Sequence, residues 1–202
     1  IMTLFPSITR EKLEFEHETQ FDLEFEEREY VVKLKKISIQ QVLDNSDIVQ
    51  NDEFEGYLIA GYLFDETELK TAIRENDSQS LVVGYIYLDN YDEALTSVEE
   101  VRRSLLTALI DRKINKYISS LDGIVRKLEK DKYIVIMRKQ SLLALKENRF
   151  DLLEDVKTVS IGNEMAVTIS IGMGLDASTY AQNCDFARTA IDLALGRGGD
   201  QA

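Results

Sequence analysis

The first third of the chain alternates apolar and polar residues with a period of two. Phenylalanine and leucine at positions 21, 23 and 25 alternate with Asp22 and Glu24, and the same period returns over residues 30–35. This pattern predicts two half-buried strands, and the polar residues 26–29 between them predict a tight turn. Folded as a hairpin, the strands would set an acidic outer face beside a basic one, which we interpret as a solvated surface.

A third extended segment follows a polar loop at residues 44–53. The run GYLIAGYLF, residues 56–64, is apolar at both alternating sets of positions. A strand of this kind is typical of a sheet covered on both faces. We therefore predict that it is the most covered strand of the first part of the chain.

At Asp65 the period changes to that of a helix. Asp65 and Glu68 have the spacing of an N-cap and its capping-box partner, and Leu69, Ala72 and Ile73 form one apolar stripe. The polar run ENDSQS at 75–80 is expected to end this short connector helix. Connector helices of this kind often pair in dimers, and the stripe offers a short seam for a homodimer contact, although it is too short to bind alone.

From residue 81 onward, strands and helices alternate. The predicted elements are a strand at 81–88, an amphipathic helix at 93–119, a hairpin GIVRKL and KYIVIM, a helix at 141–156, a strand at 166–174 and a helix at 179–195. The first six elements have the order βαββαβ of a ferredoxin-like domain, in which the end of the first strand lies near the hairpin tip. We therefore predict an α+β protein with an antiparallel β segment at 1–65, a connector at 66–80 and a ferredoxin-like domain at 81–202.

Composition narrows the classes of function. With 44% hydrophobic and 30% charged residues, the 202-residue chain is expected to be folded and soluble. It carries 37 acidic and 24 basic residues, a formal charge of −13, and no basic cluster, which argues against nucleic-acid binding. Its single cysteine, Cys184, permits no internal disulfide, and no apolar run approaches the roughly 18 residues that cross a bilayer.

The segment YLDNY, the hairpin, VTISIG and a terminal helix running into Gly-Arg together resemble the GGDEF domain of nucleotide cyclases over residues 81–202. The resemblance implies that two strand-end acids, one residue apart, hold divalent metal against a nucleotide triphosphate. Here the first acid position is Tyr87, and only Asp89 remains as a metal-ligand candidate.

The hairpin turn departs further from that family. In KLEKDKY, Glu129 and Lys130 stand at the glycine positions that let a backbone approach a phosphate, and Asp131 stands at the position of the acid. The guanine-binding asparagine would fall near Leu95, which cannot form those hydrogen bonds. We expect a degenerate GGDEF domain without catalytic residues or diguanylate cyclase activity, in which Asp89 and Asp131 are the remaining nucleotide-binding candidates.

The tail ARTAIDLALGRGGDQA, residues 187–202, resembles the GdpP family, and GYLIAGYLFDET resembles the end of a PAS domain, with Asp65 and Thr67 as its Asp-x-Thr. IMTLFPSI, at residues 1–8, belongs to the same PAS resemblance. The resemblance implies a protein anchored in the cell membrane, with this portion soluble on the cytoplasmic side. It also implies a haem-associated PAS domain and a DHH/DHHA1 phosphodiesterase domain that uses Mn²⁺ to hydrolyse cyclic di-AMP; no DHH sequence occurs in these residues.

Three interpretations of function remain open. The favoured one is the regulatory sensor and linker portion of a cyclic di-AMP phosphodiesterase. The others are a weak ATP hydrolase using Mg²⁺ at Asp89 and a ligand-free dimerisation module. His17, flanked by Glu16 and Glu18, is not assigned as a haem ligand, and RGGDQ lacks the Lys-Ser/Thr of a P-loop. Gly198 and Gly199 are interpreted as an interdomain joint.

Overall fold

The computed structural model describes residues 8, 9, 11–38 and 56–202. The chain divides into two compact units, Ile1–Glu75 and Asn76–Ala202. Each unit contains one antiparallel sheet, which confirms the predicted α+β class. The predicted loop at residues 44–53 and the start of IMTLFPSI lie outside the described residues.

The first unit is built on a three-stranded sheet. Its elements are a 3₁₀ turn at Glu11–Leu13, β1 (Glu18–Phe25), β2 (Arg28–Ser38), β3 (Tyr57–Asp65) and the beginning of α1 (Thr67–Gln79). The strand order is β1-β2-β3. Glu26 and Glu27 form the hairpin turn with φ of 48° and 62°. Two consecutive residues with positive φ give the two-residue turn whose twist matches the strands.

The two faces of this sheet have different cover. The buried apolar core consists of Ile8, Leu23, Val32 and Leu34. The face that we predicted to be solvated keeps its charged residues Asp22, Glu24, Lys33 and Lys35 exposed. α1 nevertheless crosses part of this face: Lys70 Nζ lies 2.6 Å from Asp22 Oδ1, and Arg74 Nη1 lies 2.7 Å from Glu29 Oε1. Val31 on the same face is only 6% exposed. The alternation predicted which residues share this face, but not the helix that covers part of it.

β3 is the least covered strand, contrary to the prediction. Its exposed apolar side chains are Tyr57, Leu58, Tyr62, Leu63 and Phe64, each at least 42% exposed. Among the described strands, β3 pairs only with β2 and forms an edge of the sheet. An edge strand has fewer neighbours to cover its side chains than a central one.

α1 lies within the predicted connector but begins differently. It runs from Thr67 to Gln79 and ends inside the polar run 75–80, as predicted. Asp65 is the last residue of β3, and its Oδ1 accepts hydrogen bonds from the amide and hydroxyl of Thr67 at 3.1 and 2.6 Å. Asp65 therefore supports the start of α1 from two residues before it.

The second unit has the predicted ferredoxin-like topology. Its elements are β4 (Leu81–Leu88), α2 (Tyr91–Thr96), α3 (Glu100–Ser120), β5 (Ile124–Lys127), β6 (Lys132–Arg138), α4 (Lys139–Glu147), α5 (Leu152–Lys157), β7 (Ile169–Gly174) and α6 (Tyr180–Gly196). The strands lie in the order β5-β6-β4-β7 and are antiparallel throughout. This order brings the end of β4 beside the turn of the β5–β6 hairpin.

Two predicted helices are each divided in two. The helix predicted at 93–119 is α2 and α3, separated by residues 97–99, and the helix predicted at 141–156 is α4 and α5. Arg149 and Phe150 have φ of 53° and 52° between α4 and α5. A right-handed helix cannot continue through such residues, although the apolar periodicity passes over them.

Helices cover both faces of the second sheet. The buried stripe of α3, Leu106, Ile110, Ile114 and Ile118, packs in one core with Ile86 of β4 and Ile171 of β7. α6 packs against the alternate residues of β7. A Cβ atom at Gly172 would lie 2.5 Å from the backbone nitrogen of Ile191, so strand and helix meet backbone to backbone.

Candidate nucleotide site

The end of β4 and the hairpin turn meet at one corner of the second sheet. The amide of Leu88 donates a 2.9 Å hydrogen bond to the carbonyl of Asp131, and the amide of Asp89 donates a 3.0 Å bond to the carbonyl of Thr168. Asp89 and Asp131 are both partly exposed. The two residues predicted from the sequence are therefore anchored at neighbouring backbone positions, although their role in nucleotide binding stays a prediction.

The carboxylate of Asp89 faces the loop that follows α6. Asp89 Oδ2 accepts a 2.8 Å hydrogen bond from the amide of Asp200. Gly199 is buried beside it, and a Cβ atom there would lie 2.8 Å from Asp89 Cγ. The carboxylate of Asp200 in turn pairs with Lys157, with Oδ2 and Nζ 2.6 Å apart. One oxygen of the metal-ligand candidate is thus engaged by the chain itself.

Asn90 completes this corner, and sequence reasoning overlooked it. Its Nδ2 donates a 2.8 Å hydrogen bond to the carbonyl of Ala166, and its Oδ1 accepts a 3.0 Å bond from the amide of Thr168. An amide side chain can satisfy a donor and an acceptor of one extended segment together. Asn90 thereby fixes the segment that enters β7, and its position in YLDNY was the available signal.

The turn of the hairpin is tied to α2. Lys130 Nζ lies 2.7 Å from Asp92 Oδ1 and 5.7 Å from the centre of the Tyr91 ring. The hydrogen bond to Asp92 raises the pKa of Lys130. Lys130 occupies one of the positions where the GGDEF resemblance places glycine. Instead of leaving backbone free for a phosphate, this position carries a cation that reaches across to an acidic side chain.

Tyr87, at the position of the first acid, is a poor metal ligand. Burial raises the pKa of its phenol, and Lys132 Nζ lies 5.4 Å from the centre of its ring. A neutral phenol lacks the charge that Mg²⁺ prefers in its oxygen ligands. Leu95, at the expected guanine-binding position, packs against the hydrophobic core of this unit.

Asp111 of α3 holds the tip of the hairpin, where Lys127 and Tyr133 are the strand pair next to the turn. This carboxylate accepts a hydrogen bond from the hydroxyl of Tyr133, and its Oδ1 lies 2.9 Å from Lys127 Nζ. Burial and then the hydrogen bond to Asp111 raise the pKa of Tyr133, so the phenol stays protonated. These contacts fix the position of the adjacent turn, residues 128–131.

The described residues supply no complete metal site by themselves, because no group of three or more His, Cys, Asp or Glu side chains among them could hold a metal ion. Asp89 Oδ1 and Asp200 Oδ1 are buried without hydrogen-bond partners. A metal ion at Asp89 would therefore need further ligands from a bound phosphate, and the metal role of Asp89 stays a prediction. His17 is exposed just before β1, and its carbonyl accepts a 2.9 Å hydrogen bond from Lys36.

Comparison with known proteins identifies the second unit. Residues 86–202, more than half of the chain, match the family model "Cyclic-di-AMP phosphodiesterase GdpP-like, GGDEF domain". The chain belongs to the GdpP-like GGDEF domain family. Cyclic-di-AMP phosphodiesterase GdpP of Geobacillus thermodenitrificans is 30% identical over 140 residues, 69% of this chain and 21% of that protein. The resemblance read from the tail sequence and from VTISIG is therefore confirmed.

Two further similarities extend this result. A fusion protein of Onion yellows phytoplasma, whose name joins a membrane protein to a large ribosomal subunit protein, is 26% identical over 81% of this chain and 21% of its own length. The active GGEEF domain of a diguanylate cyclase from Vibrio cholerae superposes with a TM-score of 0.53 at 13% identity, over 66% of this chain and 86% of that one. The second similarity shows the shared fold alone.

The chain spans 21% of the length of the Geobacillus phosphodiesterase and 21% of the length of the phytoplasma fusion protein. Activities of those whole proteins are therefore not assigned to this chain by the comparison. Across the described ranges 8–9, 11–38 and 56–202, none of the helices has both the length and the apolar character needed to traverse a bilayer.

Proposed function

We propose that this chain is the regulatory sensor and linker portion of a membrane-anchored cyclic-di-AMP phosphodiesterase, on the cytoplasmic side of the membrane. Its partner in cis is a DHH/DHHA1 domain that uses Mn²⁺ to hydrolyse cyclic di-AMP. Membership in the GdpP-like family supports this proposal, as does the phosphodiesterase activity named for the Geobacillus relative. We propose that residues 1–65 are the last part of a PAS domain, whose complete form in the family is associated with haem.

The observation that carries the proposal is the attachment of α1 to the β1–β2 hairpin. The hydroxyl of Thr67 accepts a hydrogen bond from the amide of Glu29, and the amide of Glu66 donates a 2.8 Å bond to the carbonyl of Glu29. Arg28 also pairs with Asp65 at 2.8 Å. A change at the hairpin therefore acts directly on the first turn of α1.

The other end of α1 is attached within the second unit. Lys139 Nζ lies 2.8 Å from Asp77 Oδ1, near the end of the helix, and 2.7 Å from Asp176 Oδ1 in the loop before α6. The lysine side chain is 19% exposed and the two carboxylates are 59% and 58% exposed, so water partly screens both pairs. A helix held at both ends is suited to transmit a displacement from sensor to output.

The proposal assigns no cyclic dinucleotide synthesis to this domain. Three of the expected contacts are altered: Tyr87 replaces a metal ligand, Lys130 replaces a glycine, and Leu95 replaces a base-recognising amide. Each change removes a different requirement of the reaction, namely metal, phosphate and guanine. Restoring one of them would therefore leave the domain inactive.

Hydrolysis of cyclic di-AMP by the complete polypeptide tests the regulatory role. The rate is compared for the parent, a variant without residues 81–202 and the point variant Lys139→Ala. Regulation through α1 predicts that both changes alter the rate in the same direction while folding is retained. Rates equal to that of the parent in both variants would refute the proposal.

A weak Mg²⁺-dependent ATP hydrolase is a second candidate. The unpartnered buried oxygen Asp89 Oδ1 favours it, because Mg²⁺ is often bound by one or two carboxylates together with substrate phosphates. Calorimetric titration with Mg²⁺ and ATP distinguishes this candidate from a ligand-free dimerisation module. Heat that saturates at one nucleotide per chain supports it, and the absence of any binding heat excludes it.

A further inference from the structure

Asp89 contacts the segment by which the chain leaves α6. This exit segment consists of Gly198, Gly199, Asp200 and Gln201. The amide of Asp200 donates to Asp89 Oδ2, and the carbonyl of Gln201 accepts a 2.8 Å hydrogen bond from the amide of Ile171. β4 occupies one edge of β7, so the exit segment lies along the other edge.

The backbone of the exit segment is adapted to this contact. Gly198, Gly199 and Asp200 have φ of 108°, 75° and 57°, so three successive residues turn through the left-handed region. Gly199 lies against Asp89: its Cβ position is 2.8 Å from Cγ and 2.9 Å from Oδ2 of that carboxylate. A side chain at residue 199 would displace either the carboxylate or the segment.

Asp89 and Lys157 hold the exit segment from two directions. Asp89 binds the amide of Asp200, whereas Lys157 Nζ pairs with the carboxylate of Asp200 at 2.6 Å. Lys157 also pairs with Glu154 at 2.7 Å, which fixes the lysine on α5. The Asp89 carboxylate and the Lys157 ammonium group therefore stabilise a single path of the exit segment.

We propose that Asp89 is a positioning residue, a clasp that fixes the path of the exit segment and so couples the corner at the end of β4 to whatever follows residue 202 in a longer polypeptide. Opening the clasp frees Asp200 and Gln201 while the sheet remains folded. The regulatory consequence rests on the proposed function, whereas the clasp itself does not.

Amide hydrogen exchange on this chain tests the clasp. In Asp89→Ala, the amides of Asp200 and Ile171 are expected to exchange about tenfold or more faster. The amide of Asp200 loses its acceptor, the Asp89 carboxylate. The amide of Ile171 loses its acceptor, the carbonyl of Gln201, once the exit segment is released. The matched control is Glu93→Ala, which removes an exposed carboxylate on the neighbouring helix α2 and is expected to leave both amides unchanged. Parent-like protection of both amides in Asp89→Ala would overturn the proposal.

A double-mutant cycle removes ambiguity if Asp89→Ala disturbs the fold. Gly199→Ala is expected to speed exchange of the Asp200 amide in the parent but to have a much smaller effect in the Asp89→Ala background, where the obstructing carboxylate is gone. Gly198→Ala, with no atoms within 4 Å of its Cβ position, is expected to act equally in both backgrounds. Equal effects of Gly199→Ala in the two backgrounds would assign its effect to backbone strain and refute the clasp.

The coupling is tested in the complete polypeptide by cyclic di-AMP hydrolysis. Asp89→Ala is expected to change the rate by about threefold or more, and Glu93→Ala to leave it unchanged. Faster exchange with an unchanged rate would retain the clasp and refute its regulatory consequence. Unchanged exchange with an altered rate would refute the clasp while leaving the proposed function intact.

Discussion

Thr67 accepts a 2.9 Å hydrogen bond from the amide of Glu29 and donates a 2.6 Å bond to Asp65 Oδ1. Thr67→Val keeps the branched shape but removes both bonds. We expect the free energy of unfolding of the first unit to fall by about 1–2 kcal/mol, since a backbone donor and a carboxylate each lose a partner. Urea denaturation measures this change. Thr71→Val, at an exposed position of the same helix, is the control and should change the free energy of unfolding by less than about 0.5 kcal/mol.

The same junction should weaken in acid. The hydrogen bond from Arg74 lowers the pKa of Glu29 below its ordinary 4.5, and hydrogen bonds from Thr67 lower that of Asp65 below its ordinary 3.8. The unfolded state therefore takes up protons first as pH falls, so the stabilisation is complete above the ordinary values and is lost as pH drops through the lowered ones. Melting temperatures from about pH 6 to about pH 3 should fall less steeply in Glu29→Gln than in the parent. Identical slopes would contradict this assignment.

Any ATP hydrolysis by this chain should survive Asp89→Asn. Asparagine keeps an oxygen that can accept the Asp200 hydrogen bond, while it removes the charge that a metal would need. If Asp89 has the positioning role and no catalytic one, turnover should change by less than about twofold. Phosphate release measured at equal folded content decides the question. A collapse in turnover would show that Asp89 binds the nucleotide metal.

The exposed apolar stripe of α1 predicts a homodimer. Leu69 and Ile73 are 55% and 58% exposed, on a side of α1 about 100° around the helix from Lys70 and Arg74. We expect the double variant Leu69→Gln/Ile73→Gln to shift the chain from dimer to monomer in light scattering. Val101→Gln, at an exposed position of α3, is the control and should leave the mass unchanged. A parent that is monomeric at high concentration would rule out the seam.

The periodicity of the sequence predicted most of the strands and helices correctly, but it did not predict which of their faces other elements bury. The alternation at residues 21–35 correctly predicted the β1–β2 hairpin, because one core face imposes a period of two. The continuous apolar run of β3 gave the wrong burial, because side-chain type does not report how many strands flank a strand. Likewise, the apolar stripe that runs through Phe150 did not reveal the break between α4 and α5, since left-handed residues leave the spacing of apolar residues intact.

The candidate site was only partly predictable. YLDNY and the charged turn correctly located Asp89 and Asp131 at one corner, because the ferredoxin-like order brings a strand end beside a hairpin tip. The contact of Asp89 with Asp200 joins residues 111 positions apart. No local pattern encodes such a pairing, and the glycines of RGGDQ, interpreted from the sequence as an interdomain joint, did not indicate their close approach to Asp89.

Gly172 provides a test of the packing behind the site. In Gly172→Ala, the new Cβ atom would lie 2.5 Å from the nitrogen of Ile191 and 2.6 Å from the carbonyl oxygen of Ala187. Both are backbone atoms that cannot move without their helix, so we expect a loss of about 3 kcal/mol or more in the free energy of unfolding. Gly196→Ala, with nothing within 4 Å, is the control and should be nearly neutral. Thermal denaturation of both variants measures the difference.

The backbone contact between α6 and β7 has a mechanical consequence. Because the strand and the helix meet backbone to backbone at Gly172, we expect them to move together as one rigid body. The 17 residues of α6 span about 25 Å, from Tyr180 to Gly196. A displacement of the first turn of α6 is therefore expected to move its last turn as well, where the exit segment begins.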